Sequence, residues 1–178
     1  HFNRFKLGRS LDDLYHYGAN TLFTELALDI CRQEGVDLRF NHLDTTSFTV
    51  TGDYQPSTDE EAITLTYGHS KAHRPDLKQV VQELMVSQDG GIPWLSKSWD
   101  GNSSDNVVFR ERSRALVEMF QNSPAPRYLV MDSKGYCQAN AENLKLLNFI
   151  VAVPATISLT NELLAQSFKG HWMPLEDA

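Results

Sequence analysis

Cysteine is scarce in this chain of 178 residues: there are two, Cys31 and Cys137, with no paired spacing. That excludes a four-cysteine or a two-cysteine, two-histidine zinc module and gives no disulfide framework, so a reducing, cytoplasmic setting is expected. Long apolar runs are also missing. The longest, Phe149-Ile-Val-Ala-Val153, stops at Pro154, far short of the roughly 20 residues that cross a bilayer. No charged-then-apolar signal segment opens the chain, so no membrane partner is expected. The chain starts on His1, which leaves its native start open. Positive charge is in deficit as well: 16 Lys and Arg against 23 Asp and Glu give a net charge of −7. An evenly basic DNA-binding surface is thereby excluded, because phosphate contact relies on lysine and arginine releasing counterions. A local basic strip is compatible with the total, and Lys71, His73, Arg74 and Lys78 form the candidate.

What is present is enough for one core. Hydrophobic residues make up 41% of the chain, a proportion that lets a chain of this length bury one sizeable domain interior. Leu22, Phe23, Leu26, Ala27 and Ile30 recur at helical spacing between Asn20 and Gln33, with Gly35 as the stop. A shorter helix is expected from a Ser10 cap to Gly18. Extended chain follows over 38–50, ending near Gly52. Residues 53–61 read as a polar surface loop containing Pro56, and Ile63–Tyr67 alternates as a half-buried strand would. Gln79–Val86 and Ile92–Trp99 flank Gln88-Asp-Gly-Gly91, a hairpin signal in which the glycines take positive φ. Ser104 or Asp105 can cap a helix over 106–121, with Val107, Val108, Leu116, Val117 and Phe120 facing inward. A strand ending at Asp132, a helix over 140–147, a strand over 149–153 and a last helix over 160–168 complete the chain. Trp94 and Trp99 have odd separation in one strand and are expected on opposite faces; Trp172 lies in an unread tail.

Two aspartates stand out at predicted strand positions: Asp44 in His42-Leu-Asp-Thr-Thr-Ser47 and Asp132 in Met131-Asp-Ser-Lys-Gly135. Carboxylates on separate strands are a means of holding a hard divalent ion, which keeps several waters and takes one or two carboxylates plus substrate phosphates. On its own an aspartate at a strand end is more often a turn former or solvated cap. The surrounding words add Leu65-Thr-Tyr-Gly-His-Ser70, His73-Arg-Pro-Asp-Leu-Lys-Gln79 and Asp100-Gly-Asn102, in that order. Together they resemble an insertion-sequence transposase of the DDE type, and the resemblance runs over nearly the whole chain.

That resemblance implies a fold, a chemistry and a site. The fold is α/β: a ribonuclease-H-like mixed sheet, an antiparallel meander followed by β-α-β-α-β. An N-terminal helical segment, 1–36, would pack on an incomplete catalytic core, 37–178. The implied activity is divalent-metal-dependent cleavage and joining of transposon-end DNA, with Asp44 and Asp132 as catalytic metal ligands and two Mg²⁺ or Mn²⁺ ions in the complete enzyme. DNA is the implied partner, and a homodimer is the family's common working form. Lys71, Arg74 and Lys78 are candidate DNA contacts. In that family the third acid is a glutamate well downstream, and nothing up to Ala178 matches it; Glu162 and Glu176 are weak stand-ins. This chain alone is therefore expected to be inactive or nearly so. A non-catalytic DNA-binding scaffold of the same fold and a ribonuclease-H-like nuclease are the alternatives. His69 and His73 have i, i+4 spacing, but Gly68 and Pro75 argue against the helix that a zinc site there would need.

Overall fold

The computed structural model describes residues 3–55, 62–69, 73–121, 127–135, 143–154 and 158–167. Helix α1 spans Arg4–Tyr17, and its first turn is capped by Asn3, whose Oδ1 accepts from the Lys6 amide at 2.9 Å. It thus starts six residues before the expected Ser10 cap, since Asn3 meets the same orphan amides earlier. Gly18, at φ 93°, turns the chain between α1 and α2 (Ala19–Gln33), its amide donating to the Leu14 and Tyr15 carbonyls. Only glycine takes that backbone readily. Helix α2 packs on the sheet through Ala27 and Cys31, while Leu26 and Ile30 stay exposed. The inward stripe is rotated from the one that side-chain size suggests, because small residues let the helix approach the strand beneath it.

Five strands form one mixed sheet: β1 (Phe40–Val50), β2 (Lys78–Ser87), β3 (Pro93–Trp99), β4 (Tyr128–Met131) and β5 (Asn148–Val151), in the order β3-β2-β1-β4-β5. β1 is central, antiparallel to β2 and parallel to β4; β2 with β3 is antiparallel and β4 with β5 is parallel. This is the ribonuclease-H-like arrangement. The expected hairpin turn is present, with Gly90 and Gly91 at φ 71° and 61°. The expected strand over 63–67 is reduced to a single bridge, Thr66 to Gln79. Of the helix expected over 140–147, residues 140–142 lie outside the described residues, Asn143 and Leu144 are helical, and a turn over 145–147 leads straight into β5; Cys137 and Trp172 also lie outside the described residues.

Helix α3 (Asp105–Gln121) joins α2 on one face of the sheet, and α4 (Ser158–Ser167) follows β5. The core lies under α2 and α3, where Trp94, Phe109, Met85, Leu116 and Leu129 are essentially inaccessible. Each such side chain contributes about 1.5–3 kcal/mol of burial. The opposite face is open among the described residues, with Phe48, Leu84 and Ile150 exposed. A bulge changes the expected tryptophan geometry: Met85 pairs with Leu95 but Val86 with Pro93, so Trp94 is the extra residue. Parity flips across it, and both tryptophans serve the helix-covered face, Trp94 Nε1 donating to Asn41 and Trp99 Nε1 to Glu83. Trp94, fully buried, cannot stack on a nucleic-acid base.

Cys31 is 1% exposed, and burial raises its thiol pKa. Both effects suppress the reactive thiolate. Alkylation of Cys31 in the native protein is therefore expected to be slow and to reach the rate of a free thiol only in denaturant, which peptide-resolved mass spectrometry would follow.

Candidate functional site: an acid pair on adjacent parallel strands

The register of β1 and β4 decides how near the two aspartates come. Their pairing runs from Phe40–Tyr128 to Leu43–Met131, so Asp44 and Asp132 are the next position on each strand. Neighbouring strands lie about 4.8 Å apart, which brings two residues 88 positions apart in sequence to neighbouring backbone sites. Both are exposed. Along β1 burial alternates, Leu43 and Thr45 facing the helices while Asp44, Thr46 and Phe48 face outward. Asp44 thus stands on the open face, directly across from Leu84 of β2.

Local hydrogen bonds fix the backbone around each acid. Asp44 Oδ1 accepts from the Thr45 amide at 2.7 Å. Asp132 Oδ1 accepts from the Lys134 amide at 3.0 Å, closing a turn onto a single 3-10 turn, Ser133–Gly135. From β1, the buried Thr45 hydroxyl donates to Asp105 Oδ1 at 2.6 Å; from the 3-10 turn, Lys134 Nζ donates to Asp105 Oδ2 at 2.8 Å. Asp105 is the first residue of α3, where a negative charge also complements the helix dipole. The expected capping role falls to Ser104, whose Oγ accepts from the Val107 amide at 3.4 Å. The result is a run of contacts from Asp44 through Thr45, Asp105 and Lys134 to Asp132.

Electrostatics follow from that run of contacts. The hydrogen bond to Asp105 holds the Lys134 ammonium above the ordinary lysine pKa; slight burial opposes it, and the charges of Asp105, Asp132 and Asp44 reinforce it. A cavity of about 300 Å³ adjoins these residues, lined by Thr46, Ser47, His69, Ser104, Asp105 and Lys134 among others. The donor set suits a divalent ion: hard carboxylate oxygens on neighbouring strands, with one ammonium already drawn into their field. Among the described residues, no three acidic, histidine or cysteine side chains converge closely enough to hold a metal ion. Glu162 is exposed on α4, and Glu176 lies outside the described residues.

The candidate basic strip sits elsewhere. Lys78 pairs with Val50, six residues along β1 from Asp44 and so roughly 20 Å away at the rise of a strand. Its ammonium donates to the Tyr54 carbonyl at 2.8 Å, and Arg74 forms a two-pronged pair with Asp76 at 2.8 and 2.7 Å. Lys71 lies outside the described residues. Asp105 and Lys134 escaped sequence reasoning as site residues. The available signal was the lysine two places after an aspartate at a strand end, but its partner on α3 is 29 residues away.

The motif words of the 60s and 100s have a structural use. The Gln79 side chain donates to the Gly101 carbonyl at 2.7 Å and to the His69 carbonyl at 3.3 Å, while the Gly101 amide donates to Thr64 O at 3.0 Å. Asp100 Oδ1 accepts from the Thr64 amide at 2.8 Å. Gly68, Gln79 and Gly101 therefore form one tight junction that leads from β3 into the start of α3.

No protein-family model and no curated protein sequence matches the chain. Solved structures do match. One is a piggyBac transposase synaptic complex with hairpin DNA, at 12% identity and TM-score 0.45, covering 71% of this chain and 25% of that one. A Mos1 transposase paired-end complex with the left transposon end matches at 13% identity and TM-score 0.39, covering 82% and 45%. A Mos1 transposase catalytic domain with raltegravir and Mn matches at 10% identity and TM-score 0.40, covering 87% and 73%. The chain thus spans less than half the length of the first two. These are loose matches, and the fold rests on the strand order and register given above. Among the described residues no helix is long and apolar enough to cross a membrane.

Proposed function

We propose that this chain is the catalytic core, or part of one, of a DDE-type DNA transposase, with Asp44 and Asp132 as metal ligands and DNA as substrate. The single observation that supports this reading is the parallel register, which makes the two aspartates neighbours at the position after Leu43 and Met131. Asp44 and Asp132 would hold a divalent ion there, and its chemistry would be Lewis-acid activation of an attacking water or 3′-hydroxyl and neutralisation of charge at the leaving oxygen. The chain's own residues do the rest. Asp44 presents its carboxylate on the open sheet face and Asp132 is exposed at the neighbouring strand end, where an extended phosphodiester would have access. Thr45 and the Lys134 amide hold the acid-bearing segments in place through the contacts at 2.7 and 3.0 Å. No covalent enzyme intermediate is needed, so no serine nucleophile is called for.

Two carboxylates leave the geometry of a second ion to water. The exposed Phe48, Leu84 and Ile150 beside the acid pair suit a further segment laid across this face, and a third carboxylate carried by it would complete the set that the resemblance implies. Work on paired transposon ends by a homodimer belongs to the same reading.

The test is a Mn²⁺ titration of the chain followed by electron paramagnetic resonance, with Asp44→Ala and Asp132→Ala as variants. Each substitution is expected to weaken binding by at least about tenfold, since even outer-shell partners of a metal site are worth that much. Specific binding unaffected by both substitutions, or no binding at all, would favour the non-catalytic scaffold.

A further inference from the structure

Three carboxylates, those of Asp44, Asp132 and Asp105, lie along one run of contacts, and the Lys134 ammonium is tied into it. We propose that the Lys134 ammonium is the built-in counter-cation of this acid site, held on Asp105 and exchanged for a divalent metal ion when one binds. The inference rests on the reading of Asp44 and Asp132 as metal ligands.

The geometry gives Lys134 two separate attachments. Its amide is tied to Asp132 at 3.0 Å, so the residue stays beside the acid pair whatever its side chain does. Its Nζ reaches Asp105 at 2.8 Å with a side chain half exposed. A lysine stem is flexible and its ammonium strongly hydrated, so the head can swing into solvent without disturbing the backbone. Asp105 does not depend on Lys134 for its position, because the Thr45 hydroxyl holds its other oxygen at 2.6 Å. Removal of the ammonium would leave the negative charges of Asp44 and Asp132 on neighbouring strands and of Asp105 at the start of α3 without the cation whose charge they all attract, which is unfavourable. The lysine offsets that repulsion with one positive charge, and a divalent ion offsets it with two. Lys134 therefore stabilises the metal-free site and competes with the metal.

A merely structural ion pair, tying the 3-10 turn to α3, makes a different prediction. Its removal would lower stability and leave metal affinity unchanged or weaker. The discriminating experiment measures free Mn²⁺ by electron paramagnetic resonance in titrations of the wild-type chain, Lys134→Met and Lys134→Arg. Lys134→Met is expected to bind Mn²⁺ roughly tenfold more tightly, and Lys134→Arg, which keeps the charge, about as the wild type does. Equal or weaker binding by Lys134→Met, where the wild type binds, overturns the counter-cation and leaves the acid pair standing. No binding by either protein overturns both. Should Lys134→Met fail to fold, labelling of Lys134 in the wild type by an amine-reactive ester decides the matter. Added Mn²⁺ should speed it; protection or no change overturns the proposal.

Discussion

Arg112→Ala is expected to cost about 3–5 kcal/mol of folding stability, which is a large share of what a domain of this size possesses. The Glu83 side chain is 0% exposed, in β2 beneath α3, and Arg112 grips it through Nε and, at 3.0 Å, through Nη2. Trp99 Nε1 adds a third donor at 2.8 Å. With the guanidinium gone, a carboxylate remains in the interior with the indole as its one neighbour from this set. The uncompensated charge makes the loss far larger than that of a surface pair. The reverse change, Glu83→Gln, turns an amide donor toward the guanidinium and should cost a comparable amount. Exchanging both partners, as in Glu83→Leu with Arg112→Met, is expected to cost less than either single change, since no charge is then left buried; the Trp99 donor would still lose its acceptor at about 1–3 kcal/mol. Urea denaturation would show these losses as a lowered midpoint at unchanged slope. A double variant as unstable as the sum of the singles would show that the pair does not act as a unit.

This pair bears on the acid site through the helix it anchors. Asp105 and Arg112 are seven residues apart on α3, two turns along one face. Their partners, Thr45 and Glu83, are directly opposed on β1 and β2. The same helix face is thus fastened to one cross-strand position at two points. A loosened Arg112 should let the start of α3 drift, and with it the carboxylate that holds Lys134.

The sequence made the elements legible where local chemistry decides them, and less so where a distant partner does. Gln88-Asp-Gly-Gly91 marked its hairpin because positive φ belongs to glycine, and α2 and α3 announced themselves by period. The neighbouring positions of Asp44 and Asp132 followed from the strand order that the resemblance implied. Glu83 gave no such signal. It alternates with Val81 and Met85 on the buried face, yet Gln79 and Ser87 share that face, so polarity did not distinguish one side of β2 from the other. The bulge at Trp94 was equally silent, and it reversed the facing of a residue whose parity had seemed fixed. Asp105 looked like a cap because it stands one residue past the true one, Ser104. Its contact with Lys134 exists only after β4 has been laid beside β1.

Gly101→Ala should cost about 3 kcal/mol or more, because what it meets is backbone. A Cβ on Gly101 would fall on the Gln79 carbonyl oxygen and crowd that of Thr66, and one on Gly68 would fall on the Gly101 carbonyl oxygen. Main-chain atoms in a paired strand cannot swing aside as a flexible side chain can, so the clash must be relieved by moving the junction itself. That movement would break the bonds from Gln79 Nε2 to Gly101 O and from the Gly101 amide to Thr64 O. It would also shift the turn leading to Ser104 and Asp105, where the Ser103 amide donates to Asp100 O at 2.9 Å. Gly68→Ala acts on the same junction, so the two losses should be less than additive when combined. Gly8→Ala serves as the control: nothing lies within 4 Å of its added methyl, and inside α1 it should gain about 0.8–1 kcal/mol from helix propensity. Thermal and urea unfolding of the three single variants and the Gly68–Gly101 pair would test the order. Because Gly101 sits between β3 and the start of α3, its substitution should also weaken Mn²⁺ binding in any molecules that remain folded. Retention of wild-type stability by Gly101→Ala would mean that the junction is looser than these contacts require, and that the position of Asp105 does not depend on it.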